Sequence, residues 1–326
     1  MSNKNHHHTN HVSVVITVKN EAQSIRGTLK SLLSQTYKPG EILVVDGGST
    51  DKTSQIISEF KGKGVKYYSK TGNRSVGRNE GIKRARNNII AITDSGCIAN
   101  KDWVKKISEP IRGGDCDVVA GYYRVNHKAT VFQRCLATYT LVMNNNLLND
   151  NFLPASRSMA LTRKILNDCG GFPEEFSYNE DYVLARRLKS MRARRIRFAK
   201  EAVVEWEPRK EVLEAFWMFL KFAFGDAQAG TTRNTLPLLF IRAILFIILF
   251  LLALFVSNRL WVIIALLSCL YLVWAVNKNY KYVGVISATM WLPLLQLISD
   301  IAVLIGSFTG YLFRLQISSV HHKPDR

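Results

Sequence analysis

Residues 237–313 constrain the fold of this chain more strongly than any other part of the sequence, because they are nearly all apolar. Apolar residues make up 47% of the 326 residues, but they are spread unevenly. A helix needs about 20 consecutive apolar residues to cross a bilayer. We therefore predict membrane-spanning helices in this tract, preceded by residues 1–236, whose composition is typical of a soluble globular region.

The apolar tract divides into three parts. Leu238–Val256 is long enough to span a bilayer, and Leu260–Val276 is close to the minimum length. Val283–Phe313 exceeds one upright span, and Pro293 and Asp300 interrupt it. We expect one tilted, kinked helix there, with a re-entrant pair as the alternative. Asp300 is a functional candidate, because ionisable residues are rare inside a membrane; it could equally face a neighbouring helix or mark a break.

Charge and cysteine content narrow the choice of partners and compartment. The net charge of +19 indicates an anionic partner, such as nucleic acid, an anionic membrane face or a phosphorylated substrate. Membrane spans explain basic residues better than nucleic acid does, so we predict membrane lipids and no nucleic acid. The five cysteines show no metal-ligand spacing and are expected to be reduced thiols facing the cytosol. Residues 1–11 are polar and His-rich, and predict a disordered leader.

Buried strands alternate with helices in the N-terminal region. Val12–Val18 and Ile42–Val45 are strand-like, and Ala22–Ser34 between them has apolar residues at helical spacing. This βαβ pattern predicts a parallel sheet. The second strand ends in Asp46-Gly47-Gly48-Ser49, and open α/β sheets bind nucleotides at such a carboxylate and glycine turn. An ordinary strand-to-helix connection is the alternative.

Gly72–Arg86 is a basic segment with a helical pattern, and it is a candidate site for binding a diphosphate. We expect Ser75 to cap this helix and Arg78 and Asn79 to lie in its first turn. Guanidinium groups near a helix N-terminus suit a diphosphate, although a solvated basic face has the same pattern.

Two further acidic sites follow along the chain. Strand Ile89–Thr93 ends in Asp94, which repeats the arrangement at Asp46. Glu180 and Asp181 precede a helix, where they could cap it, serve in catalysis or do both.

Residues 12–208 resemble the catalytic domain of the family 2 glycosyltransferases. Six motifs carry this resemblance by their order and spacing: Lys19-Asn20-Glu21, Asp46-Gly47-Gly48-Ser49-Thr50-Asp51, Gly77-Arg78-Asn79-Glu80-Gly81, Asp94-Ser95-Gly96, Gly170-Gly171-Phe172 and Glu180-Asp181. The resemblance implies an α/β fold of the GT-A type, with a Rossmann-like nucleotide-binding sheet. It also implies inverting sugar transfer from a nucleoside diphosphate sugar.

The resemblance also implies roles for individual residues. Asp181 would be the catalytic base, with Glu180 beside it, and Asp94 would lie where Mg²⁺ or Mn²⁺ and the diphosphate bind. Residues predicted to bind the nucleotide sugar are Thr17, Asn20, Glu21, Asp46, Gly48, Arg78, Asn79, Asp94 and Arg233.

The sequence departs from the family pattern at three places. Gly47 occupies a position where many relatives have a second acidic residue that reads the nucleobase. Asp94-Ser95-Gly96 lacks the second carboxylate of the usual Asp-x-Asp motif, so affinity for free metal should be poor. The Gln-x-x-Arg-Trp signature of processive members is missing, which favours non-processive transfer.

Residues 209–236 connect the two regions. Val212–Phe224 suits a helix in the membrane interface, or equally one packed on the catalytic domain. We expect this helix and the loop Gly225–Arg233 to roof the active site, with Arg233 near the diphosphate. Residues 237–313 would hold three transmembrane helices, and residues 314–326 would form a basic tail.

The sequence therefore predicts an integral protein of the cell membrane with a cytosolic catalytic domain. It would transfer a sugar to a lipid-linked or membrane-held acceptor in cell-envelope glycan synthesis. A polyprenyl-phosphate sugar synthase is the alternative enzyme. A non-catalytic partner subunit of a glycan-assembly complex is the alternative outside enzymes.

Overall fold

The computed structural model describes residues 11–141, 152–191, 196–231 and 235–320, the last four without side chains. These residues form two compact units. The first contains residues 11–126 and 152–207, and the second contains residues 127–141 and 208–320. Residues 1–10 of the predicted leader lie outside the described part of the chain.

The first unit is built, within its described residues, on an eight-stranded sheet with the order β3-β2-β1-β4-β7-β6-β8-β5. Its strands are β1 Val12–Val18, β2 Glu41–Asp46, β3 Val65–Ser69, β4 Ile89–Ile92, β5 Cys97–Ala99, β6 Val118–Val125, β7 Met159–Thr162 and β8 Ile196–Trp206. Strands β1 to β4 are mutually parallel, which confirms the predicted βαβ arrangement. Strand β7 runs antiparallel between β4 and β6, so the sheet as a whole is mixed.

Helices cover both faces of this sheet. They are α1 Ile25–Leu33, α2 Thr53–Ser58, α3 Arg74–Arg84, α4 Trp103–Arg112, α6 Arg163–Asp168 and α7 Glu180–Ser190. Alternate residues of β1 enter different cores: Val14 and Ile16 pack with α1 and α4, whereas Val15 packs with α3 and α7. Burial on both faces explains why five of the seven residues of this strand are valine or isoleucine, with Ser13 and Thr17 the polar ones.

Helix α3 packs unusually close to β1. A Cβ on Gly77 would lie 2.8 Å from Cγ2 of Thr17, and one on Gly81 would lie 2.5 Å from Cγ1 of Val15. The cap of α3 differs from the prediction: Asn73 caps the helix by accepting a hydrogen bond from the Val76 amide. Ser75 is already inside the helix and is fully buried.

The second unit is helical in its described residues. Its helices are α5 Val131–Thr140, α8 Val212–Gln228, α9 Leu236–Phe255, α10 Leu260–Val283 and α11 Ala288–Val320. Within the described part of the chain, α9, α10 and residues 288–316 of α11 are long and apolar enough to cross a membrane. Of the third predicted segment, residues 288–313 lie in one continuous helix with Pro293 inside it, so the re-entrant pair is wrong; Val283, its predicted first residue, instead ends α10. The predicted end of the apolar tract at Phe313 lies within this helix.

Helix α8 packs along α11 through two glycines. A Cβ on Gly306 would lie 2.3 Å from the carbonyl oxygen of Leu220, and one on Gly310 would lie 2.5 Å from that of Phe224. Small residues four apart allow close helix contact in membrane proteins. Gly225 is part of α8, so the prediction that it begins a loop is wrong. Arg233 lies outside the described residues.

Helix α5 belongs to the second unit although it lies between segments of the first in sequence. The Phe132 ring meets the Trp291 ring edge to face at 5.1 Å, and the Tyr139 hydroxyl donates to the carbonyl of Leu292 at 2.8 Å. The sequence predicts a longer helix here, Thr130–Leu148, whose residues 142–148 lie outside the described part of the chain.

Asp300 joins three apolar helices. Its carboxylate pairs with Arg242 of α9, accepts a 2.7 Å hydrogen bond from the Tyr271 hydroxyl of α10, and accepts a 2.9 Å bond from Gln296. Of the expected alternatives, these contacts match an acidic residue that faces neighbouring helices. They satisfy a charge that would otherwise be costly between apolar helices.

Candidate active site

The predicted site residues Asp46 and Asp94 lie at the carboxyl ends of β2 and β4, the two strands that flank β1. Asp46 ends β2, and Asp94 follows β4 by two residues. Both strands pair in parallel with β1, so their carboxyl ends meet at the same edge as Thr17. Ligands of open α/β sheets bind outside the carboxyl ends of the strands.

Asp46 shapes the loop that follows it. Its Oδ1 accepts hydrogen bonds from the amides of Gly48 and Ser49 at 3.0 and 2.8 Å, and its Oδ2 accepts one from the Tyr67 hydroxyl at 3.0 Å. Gly48 has a φ of +94°, a conformation that favours glycine. The loop therefore has a fixed backbone beside the sheet edge.

Asn20 and Glu21 connect the first two loops of the sheet edge. Asn20 Oδ1 accepts a hydrogen bond from the Thr50 amide at 2.8 Å, and the Asn20 amide donates to the Ser49 hydroxyl at 2.9 Å. The Glu21 amide donates to the Thr53 hydroxyl at 2.8 Å. These bonds hold the loop after β1 against the loop after β2.

Arg78 lies at the centre of a buried charged cluster. Its guanidinium donates to Glu180 Oε1 at 2.6 Å, to Asp94 Oδ1 at 2.8 Å and to the Ser156 hydroxyl at 2.9 Å. The Arg78 side chain is only 1% exposed, and the Phe172 ring lies 5.1 Å away. Arg78 therefore joins two predicted site carboxylates; its predicted contact with a nucleotide stays a prediction.

Ser156 connects Arg78 to Asp181. The Ser156 amide and hydroxyl lie 3.1 and 3.2 Å from Asp181 Oδ2, and the hydroxyl is 3.5 Å from Asp94 Oδ2. A hydroxyl has one proton, so Ser156 can donate to only one carboxylate at a time. The cluster thus brings Asp94, Glu180 and Asp181 together, and their predicted roles stay predictions.

Asn79 holds the glycine turn that precedes α7. Its Nδ2 donates to the carbonyl of Phe172 and to Glu174 Oε1, both at 2.8 Å, and its Oδ1 accepts from the Phe172 amide at 2.9 Å. A Cβ on Gly171 would lie 2.8 Å from Asn79 Oδ1. Asn79 therefore positions Phe172, whose ring packs beside Arg78.

Sequence reasoning assigned no role to Ser156 and Arg157. They lie in a turn before β7, where the Arg157 guanidinium packs over the rings of Trp206 and Tyr123 at 4.4 and 5.2 Å from the centroids. Their partners are distant in sequence, and the only signal is that two polar residues lie next to a strand. The pattern alone gives no reason to place them beside Asp94.

Burial and charge act in opposite directions on the pKa values of this cluster. Burial would raise the pKa of the Asp94 carboxyl, but the charges of Arg78, Arg157 and Arg74 outweigh it and hold that pKa below its ordinary value. Burial would lower the pKa of Arg78, but Asp94 and Glu180 raise it above its ordinary value. Arg78 and Asp94 are therefore both charged at neutral pH.

Asp94 can offer only a limited site to a divalent cation. No group of three or more His, Cys, Asp or Glu side chains is arranged to hold a metal in the described parts of the chain. Asp94 Oδ1 is engaged by Arg78, whereas Oδ2 has only the long contact with Ser156, and the side chain is 28% exposed. One oxygen of Asp94 fits a metal ion whose other ligands are phosphate and water.

One protein-family model matches the N-terminal region of the chain. Residues 13–171 match the model of glycosyl transferase family 2. Glycosyltransferase AglE of Haloferax volcanii is 27% identical over 54% of this chain and 60% of its own length. Glycosyltransferase GlyG of Streptococcus pneumoniae is 30% identical over 34% of this chain and 38% of its own length. The chain thus matches less than two thirds of the length of these curated relatives.

Solved structures share the fold. A mannosyltransferase from Pyrobaculum calidifontis, in complex with GDP-Man and Mn²⁺, aligns with a TM-score of 0.61 and 17% identity, covering 91% of this chain and 86% of its own. TarS of S. aureus in complex with UDP-GlcNAc aligns with a TM-score of 0.52 and 17% identity, covering 94% and 92%. The likeness confirms a mixed α/β sheet domain resembling GT-A glycosyltransferases, followed by helices.

Proposed function

Since residues 13–171 match the model of glycosyl transferase family 2, we propose that this chain is an inverting glycosyltransferase. It moves one sugar from a nucleoside diphosphate sugar to a lipid-linked or membrane-held acceptor. The observation that carries this proposal is the arrangement of Asp94, Ser156 and Asp181 at the carboxyl edge of the sheet. Structural neighbours in complex with GDP-Man and UDP-GlcNAc support the donor class.

The transfer is a displacement at the anomeric carbon of the donor sugar. The acceptor oxygen forms a bond to this carbon, the bond from the carbon to the diphosphate breaks, and the electron pair leaves with the diphosphate. Asp181 takes the proton of the acceptor hydroxyl, as a general base does. Ser156 orients this carboxylate through two hydrogen bonds to its Oδ2.

We propose that the nucleotide binds against the loops after β1 and β2. Thr17, Asp46 and Gly48 line it, and Asn20 and Glu21 hold the two loops together through their hydrogen bonds.

Arg78 and Asn79 have positioning roles in this proposal. The guanidinium of Arg78 is occupied by Asp94, Glu180 and Ser156, and Asn79 is bonded to the Phe172 backbone. They position the carboxylates and the turn before α7, and their predicted contact with the nucleotide stays a prediction.

We further propose that Asp94 holds Mg²⁺ or Mn²⁺ together with oxygens of the donor diphosphate. A divalent cation offsets the charge that grows on a leaving diphosphate. Transfer should therefore stop in excess chelator and return when Mg²⁺ or Mn²⁺ is restored, and Asp94→Asn should abolish it. Full wild-type activity in chelator would contradict this metal requirement.

The membrane location rests on α9, α10 and α11, which are long and apolar enough to cross a bilayer. We propose that they anchor the chain in the cell membrane with the catalytic domain in the cytosol. An acceptor held in the same membrane would stay near the anchored enzyme. Transfer without processivity agrees with the missing Gln-x-x-Arg-Trp signature.

The base assignment is tested by Asp181→Asn in the full-length chain. Donor binding should stay near normal, because the amide keeps the size of the carboxylate. Turnover should fall roughly a hundred- to ten-thousandfold, as expected for loss of a general base. Asp168→Asn, at an exposed position on α6, is the matched control and should leave turnover unchanged. Turnover within a small factor of wild type would move the base elsewhere, with Glu180 the next candidate.

The overall activity is tested by a panel of nucleotide sugars. Donor hydrolysis and transfer are measured for the purified chain with and without membrane lipid, and the glycosylated product is identified by mass spectrometry. A sugar attached directly to a polyprenyl phosphate would identify the synthase, and a sugar attached to an existing lipid-linked glycan would identify a glycan-extending enzyme. No binding or turnover with any donor would contradict the proposed function.

A further inference from the structure

We propose that Arg157 is a phosphate-binding residue of this active site, whose guanidinium donates to a phosphoryl oxygen of the bound substrates. The inference rests on the proposed function for the identity of those substrates. It is based on the position of Arg157, whose side chain packs on aromatic rings and whose backbone is hydrogen-bonded near the carboxylates of the site.

The Arg157 side chain is held by ring faces. Its guanidinium carbon lies 4.4 Å from the centroid of the Trp206 ring and 5.2 Å from that of the Tyr123 ring. Ring faces attract a cation without a formal charge of their own. Within the described part of the chain, Arg157 forms no ion pair with a carboxylate at 4 Å or less. Arg157 also hydrogen-bonds the Tyr123 side chain and interacts with the charges of Asp94 and Asp181, but no carboxylate pairs with it directly in the described residues, so guanidinium donors remain for an anionic ligand.

The backbone around Arg157 is fixed at both sides. The Thr93 hydroxyl donates to the carbonyl oxygen of Arg157 at 2.8 Å. The next residue, Ser158, accepts a 2.9 Å bond from the Trp103 indole on its hydroxyl, and its carbonyl accepts one of 2.8 Å from the Gly121 amide. A preorganised cation of this kind loses little conformational entropy when it binds a ligand.

Arg157 also has the right neighbours for a phosphate ligand. Its charge acts on both Asp94 and Asp181, the proposed metal ligand and the proposed base. The adjacent Ser156 is bonded to Asp181. The guanidinium is thus near enough to both carboxylates for their charges to act on it. Its planar fork of donors matches the geometry of phosphate oxygens.

Other cations near Asp94 are less suited to this role. Arg78 is buried and engaged by Asp94 and Glu180, so a ligand would have to displace ion pairs to reach it. Arg74 is exposed, and solvent screens its charge. Asp94 is one carboxylate in place of the usual Asp-x-Asp pair, so it gives a metal ion only one protein ligand. The positive charge of Arg157 would add to that of the metal ion at the diphosphate.

The phosphate can come from two sources: the donor diphosphate or a phosphate of the lipid acceptor. The test uses the full-length chain in detergent, with Arg157→Gln as the main variant. Calorimetry measures the affinities for UDP, GDP and the matching nucleosides, and separately for a polyprenyl monophosphate. Arg124→Gln is the matched control, because this arginine lies on β6 next to Tyr123 but pairs with Glu205 at 53% side-chain exposure.

We expect Arg157→Gln to weaken binding of the nucleoside diphosphate by roughly ten- to a hundredfold, the loss expected for a hydrogen bond to a charged group. Nucleoside affinity should stay unchanged, as should both affinities in Arg124→Gln. A loss confined to the polyprenyl phosphate would assign the acceptor as the source. Affinities for both phosphates within twofold of wild type would overturn the proposal.

Two further measurements keep the outcomes separate. If Arg157→Gln does not fold, as judged by thermal unfolding, Arg157→Lys keeps the charge and removes the fork. It should lose diphosphate affinity by a smaller factor, and unchanged affinity would overturn the proposal. If the wild-type chain transfers sugar and the Arg157 variants keep wild-type affinity for both phosphates, only the role of Arg157 is rejected. A wild-type chain that binds neither phosphate would reject the proposed function as well.

Discussion

At the scale of single residues, Arg78 explains how three carboxylates can share one site. Asp94 and Glu180 each contact a different nitrogen of its guanidinium, and Ser156 accepts a third hydrogen bond from it. Without this cation, two carboxylates would repel each other in a partly buried cluster. Arg78 is therefore a structural requirement for the site, and its partners come from distant parts of the chain.

Replacement of Arg78 tests this requirement. Arg78→Met keeps much of the side-chain volume but leaves Glu180 buried without its partner. Removal of one member of a buried ion pair costs about 3–5 kcal/mol, so the unfolding temperature of the full-length chain in detergent should fall markedly. Differential scanning calorimetry measures it.

Arg84→Met on the same helix is the control for Arg78→Met. Arg84 forms a surface ion pair with Glu80 at 47% exposure, and such pairs contribute about 0–1 kcal/mol. Equal effects of the two substitutions would contradict a special role for Arg78.

At the scale of elements, close helix packing depends on glycines. Gly77 and Gly81 bring α3 onto β1, and this places Arg78 between them at the sheet edge. Gly306 and Gly310 do the same for α11 and α8 in the second unit. The turn Gly170-Gly171-Phe172, held by Asn79, supplies the ring beside Arg78. The positions of these helices therefore depend on glycines, which have no side chain, as well as on side-chain contacts.

The contact between α8 and α11 is tested by Gly306→Leu. Its Cβ alone would lie 2.3 Å from the Leu220 carbonyl, so the helices must separate. Overpacking costs about 1–3 kcal/mol, and we expect a lower unfolding temperature in detergent. Ile305→Leu is the control, because Ile305 is 44% exposed and its substitution changes no helix contact of this kind. Equal unfolding temperatures for Gly306→Leu and wild type would contradict the close packing.

At the scale of the whole molecule, the two compact units do not follow the order of the sequence. Helix α5 is surrounded in sequence by segments of the first unit but packs with α8, α10 and α11. Phe132, Leu136 and Phe219 are buried in this helical core. The C-terminal helices therefore cover apolar surface that other parts of the chain contribute, in addition to being membrane-span candidates.

Deletion of residues 237–326 tests this arrangement. The truncated chain would expose the apolar faces of α5 and α8, which include Phe132 and Phe219. We expect it to aggregate or to remain bound to detergent, because large exposed apolar patches associate. Size-exclusion chromatography without detergent measures this. A monodisperse soluble monomer would show that α5 and α8 are stable without α10 and α11.

Elements with local signals in the sequence could be predicted before the fold was known. Apolar runs and glycine turns predicted β1, β2 and β4, with acidic residues at the ends of β2 and β4, and length and hydropathy predicted three apolar helices. The order of six short motifs indicated the glycosyltransferase family. These features depend on residues adjacent in the chain, so hydrophobic periodicity and turn chemistry reveal them.

The contacts between distant side chains could be found only in the folded chain. Arg78 contacts Glu180, which is 102 residues away in the sequence. Arg157 packs against Trp206 of β8 and Tyr123 of β6. The turn before β7 reaches the site only because β7 inserts antiparallel between β4 and β6. Such pairings depend on sheet order and helix packing, which no local pattern encodes. The partners of Arg78 and the position of Arg157 could therefore be read only from the folded chain.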